Sequence, residues 1–126
     1  MKVAIVILNY NGKALLEKFL PSVLKYSQQA TIYIADNAST DTSVAYIQEH
    51  YKAVHLIKNN QNGGYAKGYN DALKDLTQDI FVLLNSDVEV TKGWLTPILE
   101  AFQSAENIAA VQPKILDYKN KDYFEY

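Results

Sequence analysis

Three short polar clusters could do chemistry, and each one ends an apolar run. Asn9-Tyr10-Asn11-Gly12 follows Val3 to Leu8, Asp36-Asn37-Ala38-Ser39-Thr40-Asp41 follows Thr31 to Ala35, and Asn85-Ser86-Asp87 follows Ile80 to Leu84. Carboxylate, amide and hydroxyl oxygens in this combination can accept from the N–H groups of a ligand or bind a hard divalent cation. A fourth stretch, "NNQNGG" from Asn59 to Gly64, sets Gly63 and Gly64 just before a predicted helix. Exposed backbone N–H groups there, at the positive end of the helix dipole, suit an anion or the close approach of a ligand. Ala66, Asn70 and Leu73 are expected on the packed face of that helix, which makes Asn70 either a hydrogen-bonded core asparagine or a support for the site. Other common chemistries lack their residues. The chain has no cysteine, His50 and His55 have no partners at metal-ligand spacing, and the G-x-S-x-G motif of serine hydrolases is absent.

Each cluster also has a plain structural explanation. Asp36 is placed to cap the helix after it, Asn85 and Asp87 to form an Asx turn, and Asn9 to Gly12 to be a simple strand-to-helix turn. Their joint placement weighs against reading all three this way, because the elements between them predict that they share one edge of a sheet.

Val3 to Leu8 reads as a central strand covered on both faces. Leu15, Leu16, Phe19, Leu20, Val23 and Leu24 recur at helical spacing, with Pro21 expected to kink or divide that helix. Strands are predicted at Thr31 to Ala35, Val54 to Ile57 and Ile80 to Leu84, the last as a buried run. Helices are predicted after Asp41, with Val44, Ile47 and Tyr51 on one face, and from about Tyr65 to Leu76. A fourth helix opens at Thr91 or Lys92, with Leu95, Ile98, Leu99 and Phe102 on one face and Pro97 in its first turns. Ile108 to Gln112 reads as a further strand. This alternation predicts an α/β fold, a parallel, doubly wound sheet flanked by helices in one domain, residues 1–126, and if its strand order is 3-2-1-4 the polar clusters line up beside the first strand. Ligands of such sheets bind beyond the carboxyl ends of the strands, where the polar clusters fall.

Composition narrows the partners. With 12 basic and 14 acidic residues scattered along the chain, no basic patch for nucleic acid or an anionic membrane is present. No apolar run reaches the roughly 20 residues of a membrane span, and the first strand is too short for a signal-peptide core. A cytoplasmic protein is therefore expected. The tail "ILDYKNKDYFEY" ends on aromatics, and a native chain that continues past Tyr126 is expected.

The dinucleotide fingerprint G-x-G-x-x-G and the phosphate-binding G-x-x-x-x-G-K-[ST] are both missing after the first strand, and Asn9 stands where a phosphoacceptor receiver would carry acid. Acceptors after the second strand and a lone carboxylate after the fourth suit a nucleotide base at Asp36 and a divalent metal at Asp87.

"VAIVILNYNG", "IADNASTDTS", "NNQNGGYAKGYNDAL" and "LLNSDVEVTKGWL" together resemble the amino-terminal half of a family 2 glycosyltransferase of GT-A fold, nearest its rhamnosyltransferase-like branch. The likeness runs from Val3 to about Leu116. It implies a Rossmann-like nucleotide-sugar transferase fold, in a truncated chain, that moves a sugar from a UDP- or dTDP-sugar to a glycan or lipid-linked acceptor in cell-envelope polysaccharide synthesis. The acceptor would bring the protein to the cytoplasmic face of the membrane. The resemblance also implies site roles. Asp36 would accept from the pyrimidine N3–H, the main chain of Leu8, Asn9 and Tyr10 would hold base and ribose, and the segment with Asn59, Gly64 and Asn70 would flank the nucleotide. Asn85, Ser86 and Asp87 stand at the D-x-D element, with Asp87 and Asn85 as ligands of Mn²⁺ or Mg²⁺. Asn85 departs from the family's first aspartate and is a neutral ligand.

The family inverts the anomeric centre and needs a general base, for which Glu89, Asp117, Asp122 and Glu125 lack the family context, so the base is expected beyond Tyr126. Two alternatives stay open. One is a non-catalytic nucleotide-binding regulatory or scaffolding module, and the other is a purely structural domain. A sugar nucleotidyltransferase is disfavoured because its glycine- and arginine-rich loop after the first strand is absent.

Overall fold

A computed structural model describes residues 1–124. Strands and helices alternate as β1 (Val3–Asn9), α1 (Lys13–Tyr26), β2 (Thr31–Asp36), α2 (Ser43–His50), β3 (His55–Lys58), α3 (Gly64–Leu73), β4 (Ile80–Asn85) and α4 (Leu95–Ser104). The four strands form one sheet, parallel as the alternation predicts, and its order is the expected β3-β2-β1-β4. All seven residues of β1 are buried, which accounts for its unbroken apolar run.

The two faces of the sheet are covered differently. On one, Ile5 and Ile7 of β1 and Ile34 of β2 pack with Leu16, Leu20 and Val23 of α1, Ile47 of α2, and Leu95 and Ile98 of α4. On the other, Ala4, Val6 and Leu8 of β1 and Ala35 of β2 pack against Tyr69 and Ala72 of α3. The alanines and Gly68 let α3 lie close to the sheet. A Cβ on Gly68 would sit 2.8 Å from both Leu8 Cδ1 and Asn37 Nδ2. Tyr69 pins the helix by donating its hydroxyl to the Leu84 carbonyl at 3.0 Å, and burial pushes its phenol up, so it remains a donor.

Several expectations need correction. The packed face of α3 is Gly68, Tyr69 and Ala72, and Asn70 is exposed rather than on that face. The small residues fix the phase of the helix, because they alone permit the close approach. Ile108 to Gln112 is not a strand. Among the described residues it has no ladder partner, and Val111 packs onto the main core instead, while the tail holds an isolated antiparallel bridge between Leu116 and Phe124. Pro21 does not divide α1, because it lies on the exposed side, where water can satisfy the carbonyl left without a partner. Thr91 to Trp94 form a turn around Gly93 (φ 76°), and α4 begins only at Leu95. β4 is buried on one face only, with Phe81 and Leu83 exposed, because it is an edge strand and, among the described residues, none of its side chains joins the layer under α3. Glu125 lies outside the described residues. No helix among the described residues is long and apolar enough to cross a membrane.

Gly68→Ala is expected to lower stability by about 1–3 kcal/mol, since the new methyl group meets a buried amide and a packed leucine. Urea unfolding of the variant with an unchanged m value would check it.

Candidate functional site

The parallel sheet brings the first three polar clusters to the carboxyl ends of β1, β2 and β4, beside β1, where the order of the strands reverses. Asn9 and Asp36 are Cα partners in the β1–β2 ladder, and Leu8 pairs with Asn85 in the β1–β4 ladder. Ser86 comes close to the turn after β1, since a Cβ on Gly12 would lie 2.6 Å from Asn9 Oδ1 and 3.8 Å from Ser86 Oγ.

Asp36 is 3% exposed, and its carboxylate is held by neutral donors. Oδ1 accepts from Asn9 Nδ2 at 2.9 Å and from Ser39 Oγ at 2.6 Å, and Oδ2 accepts from the Ser39 N–H at 2.9 Å. A carboxylate offers about four lone-pair positions. These contacts use both on Oδ1 and one on Oδ2, which leaves Oδ2 a single acceptor position. Asp36 does not cap α2. That task falls to Asp41, whose Oδ1 accepts from the Ser43 N–H at 3.0 Å and from the Ser43 hydroxyl. Burial pulls the Asp41 carboxyl up, but the Ser43 hydroxyl and the N–H groups of Ser43 and Lys13 outweigh it and hold the carboxyl below its ordinary value.

Two amide networks stitch the loops together. Asn11, in the left-handed region at φ 51°, accepts through Oδ1 from the N–H groups of Thr40 at 2.7 Å and Asp41 at 3.1 Å. Ala38 also has a positive φ of 61°, an uncommon conformation for a residue with a Cβ and one that concentrates at binding loops. In the second network the buried Asn37 accepts from Asn59 Nδ2 at 2.7 Å and donates to Asn62 Oδ1 and the Gly64 carbonyl at 3.3 Å. Asn59 also donates to the Gly68 carbonyl at 3.3 Å. The bridging roles of Asn37, Ser43 and Asn62 are not visible in the sequence reading, although the density of asparagines after β2 and β3 is their trace.

The remaining expected residues fall in two groups. Leu8 is buried under α3, whereas Tyr10 is half exposed at the rim. Gly64, at φ 87°, opens α3 with nothing within 4 Å of where its Cβ would stand. Asn70 is exposed on the outer side of α3 and joins none of the hydrogen-bonded clusters. A broad concavity of about 560 Å³ beside β3 and α3, lined by Lys58, Lys67 and Lys74 among others, shares Asn59, Asn60 and Gln61 with the fourth polar stretch and no residue with the first three clusters.

Asn85 and Asp87 are exposed and Ser86 is half-buried, so amide, carboxylate and hydroxyl oxygens are open to solvent at the end of β4. This donor set is of the right kind for Mg²⁺ or Mn²⁺. Among the described residues no group of three His, Cys, Asp or Glu could hold an ion by itself. An ion here would need further oxygens, such as those of a diphosphate.

The sequence matches the glycosyl transferase family 2 profile over residues 4–125. An uncharacterized glycosyltransferase of Bacillus subtilis, YfnE, is 29% identical over 115 residues, which span 86% of this chain and 29% of that protein. The N-acetylglucosaminyl-diphospho-decaprenol L-rhamnosyltransferase of Mycobacterium tuberculosis is 27% identical over 125 residues, 90% of this chain and 41% of that one. The chain thus spans well under half the length of these relatives. Two solved structures share the fold. The mannosyltransferase PcManGT of Pyrobaculum calidifontis, in complex with GDP-Man and Mn²⁺, superposes with a TM-score of 0.66 at 22% identity over 75% of this chain and 32% of that one. Staphylococcus aureus TarS in complex with UDP-GlcNAc superposes with a TM-score of 0.72 at 19% identity over 93% of this chain and 38% of that one. The family profile spans nearly the whole chain, and the chain belongs to glycosyl transferase family 2.

Proposed function

We propose that these residues form the donor-binding part of an inverting, metal-dependent glycosyltransferase that uses a UDP- or dTDP-sugar. The observation that carries this reading is the buried Asp36 carboxylate with one acceptor position left, beside an open cluster of oxygen donors. One acceptor position matches the single N3–H of uracil or thymine. Guanine presents an N1–H and an amino group side by side and would call for both carboxylate oxygens. The two solved neighbours carry different bases, so the fold alone does not select one.

In this reading Asp87 and Asn85 hold the divalent metal, with Ser86 beside the diphosphate. The ion, when bound, offsets negative charge growing on the departing phosphate oxygens. The main chain of Leu8 to Tyr10 flanks base and ribose, and the Asn37–Asn59 network fixes the loop before Gly64 as the far wall. An acceptor hydroxyl displaces the nucleoside diphosphate at the anomeric carbon, and the base that takes its proton lies outside these 126 residues. The relatives' greater length supports that placement. The acceptor is a glycan or lipid-linked glycan of the cell envelope, met on the cytoplasmic side.

Calorimetric titration with UDP, dTDP and GDP, with and without Mn²⁺, tests the donor site. One pyrimidine diphosphate is expected to bind in a metal-dependent way, and GDP to bind more weakly. Asp36→Asn should weaken that binding about 10- to 100-fold, as expected for a lost hydrogen bond to a charged group. Asp87→Ala should abolish the effect of Mn²⁺. Equal affinity for all three nucleotides, insensitive to both substitutions, would sink the proposal. The 126-residue chain should bind donor without transferring sugar, so measurable transfer would contradict the placement of the base.

A further inference from the structure

Asn9 is fully buried, and every polar atom of its side chain is engaged. Its amide nitrogen donates to Asp36 Oδ1 at 2.9 Å and to Ser43 Oγ at 3.0 Å, with Ser39 Oγ a longer contact at 3.3 Å. Its Oδ1 accepts from the Gly12 N–H at 3.1 Å. These partners fix the orientation of the amide and leave its side chain no donor for a ligand, so any contact of Asn9 with a nucleotide would be through its main chain. Asn9 is also the contact that reaches the Asp36 carboxylate from another strand, since the other two come from Ser39 in the same loop.

We infer that Asn9 is a positioning residue for the nucleotide base, which holds Asp36 Oδ1 so that the remaining acceptor position on Oδ2 is presented to the base. The inference rests on the donor-site reading of Asp36. A carboxylate torsion is broad and roughly two-fold, so without the cross-strand N–H the two oxygens can exchange or tilt away. The surrounding charges do not substitute for it. Asp41 is linked to Asn9 through the Ser43 hydroxyl, the backbone N–H of Lys13 is directed to Asp41, and Lys58 is the ladder partner of Asp36 without an ion pair among the described residues. Glu17 pairs with Lys13, and Tyr46 of α2 stacks with His50.

Asn9→Asp tests this, because it keeps the shape and exchanges the donor for a titratable oxygen. While the new carboxyl is protonated, its O–H can donate to Asp36 as the amide does. Once it ionises, two carboxylates meet at hydrogen-bond distance, and such a pair resists losing its second proton. Calorimetry with UDP and Mn²⁺ gives the dissociation constant, while the stoichiometry and a separate thermal melt report the folded fraction. At about pH 8 the variant is expected to bind about tenfold or more weakly than wild type, and the gap should narrow toward about pH 5.5. In an Asp36→Asn background the same substitution should cost no further affinity.

A gap of equal size at both pH values overturns the positioning role and leaves the Asp36 reading intact. So does a loss confined to stoichiometry and melting temperature. Wild-type affinity in Asp36→Asn, or no binding by the folded wild-type chain, overturns the donor-site reading and the inference with it.

Discussion

Strand β1 is buried on both faces from Val3 to Asn9, and its last buried residue is an amide. A buried amide must have its hydrogen bonds met by protein. Asn9 meets them with Asp36, Ser43 and Gly12, which belong to the ends of β2, α2 and the β1–α1 turn. One apolar strand that ends in one polar side chain therefore fixes how three loops sit relative to each other. The Asp36 carboxylate is held there by neutral hydrogen bonds alone, an arrangement that leaves it able to accept one more donor.

The two faces of the sheet divide the labour. The face toward α1, α2 and α4 carries large aliphatic residues and supplies most of the core. The face toward α3 carries alanines and leucine, and Gly68 lets the helix approach closely enough for Asn59 to reach its backbone carbonyl. Close packing thus serves two ends, since it fills the small layer and sets the height of the loop that begins at Asn59. Core packing and site geometry meet at Gly68, where a methyl group would strike both Leu8 and Asn37.

Much of this was legible in the residues themselves. The parallel sheet follows from alternation and right-handed crossovers, and the polar clusters mark the ends of the strands they follow. Periodicity was less informative for α3, where the expected Leu73 does pack against the sheet but Ala66 and Asn70 are exposed, and Gly68, Tyr69 and Ala72 form the buried face. Ile108 to Gln112 shows the limit of apolar content, because a strand requires a partner and hydropathy does not reveal one. At the site, Asp36 was legible but its environment was not. Whether an aspartate before serine and threonine caps a helix or faces a ligand depends on contacts 27 and more residues apart in sequence, here with Asn9. In the structure Asp41 takes the capping role and frees Asp36 from it.

The most direct test of the account is a map of amide chemical-shift changes on adding UDP with Mg²⁺ to isotope-labelled protein. The account predicts the largest shifts at Asp36, Ser39 and Asn85 to Asp87, together with the side-chain amides of Asn9 and Asn37. Shifts centred instead on Lys58, Lys67 and Lys74, with the Asp36 and Ser86 signals unmoved, would place the nucleotide in the concavity beside α3 and contradict it.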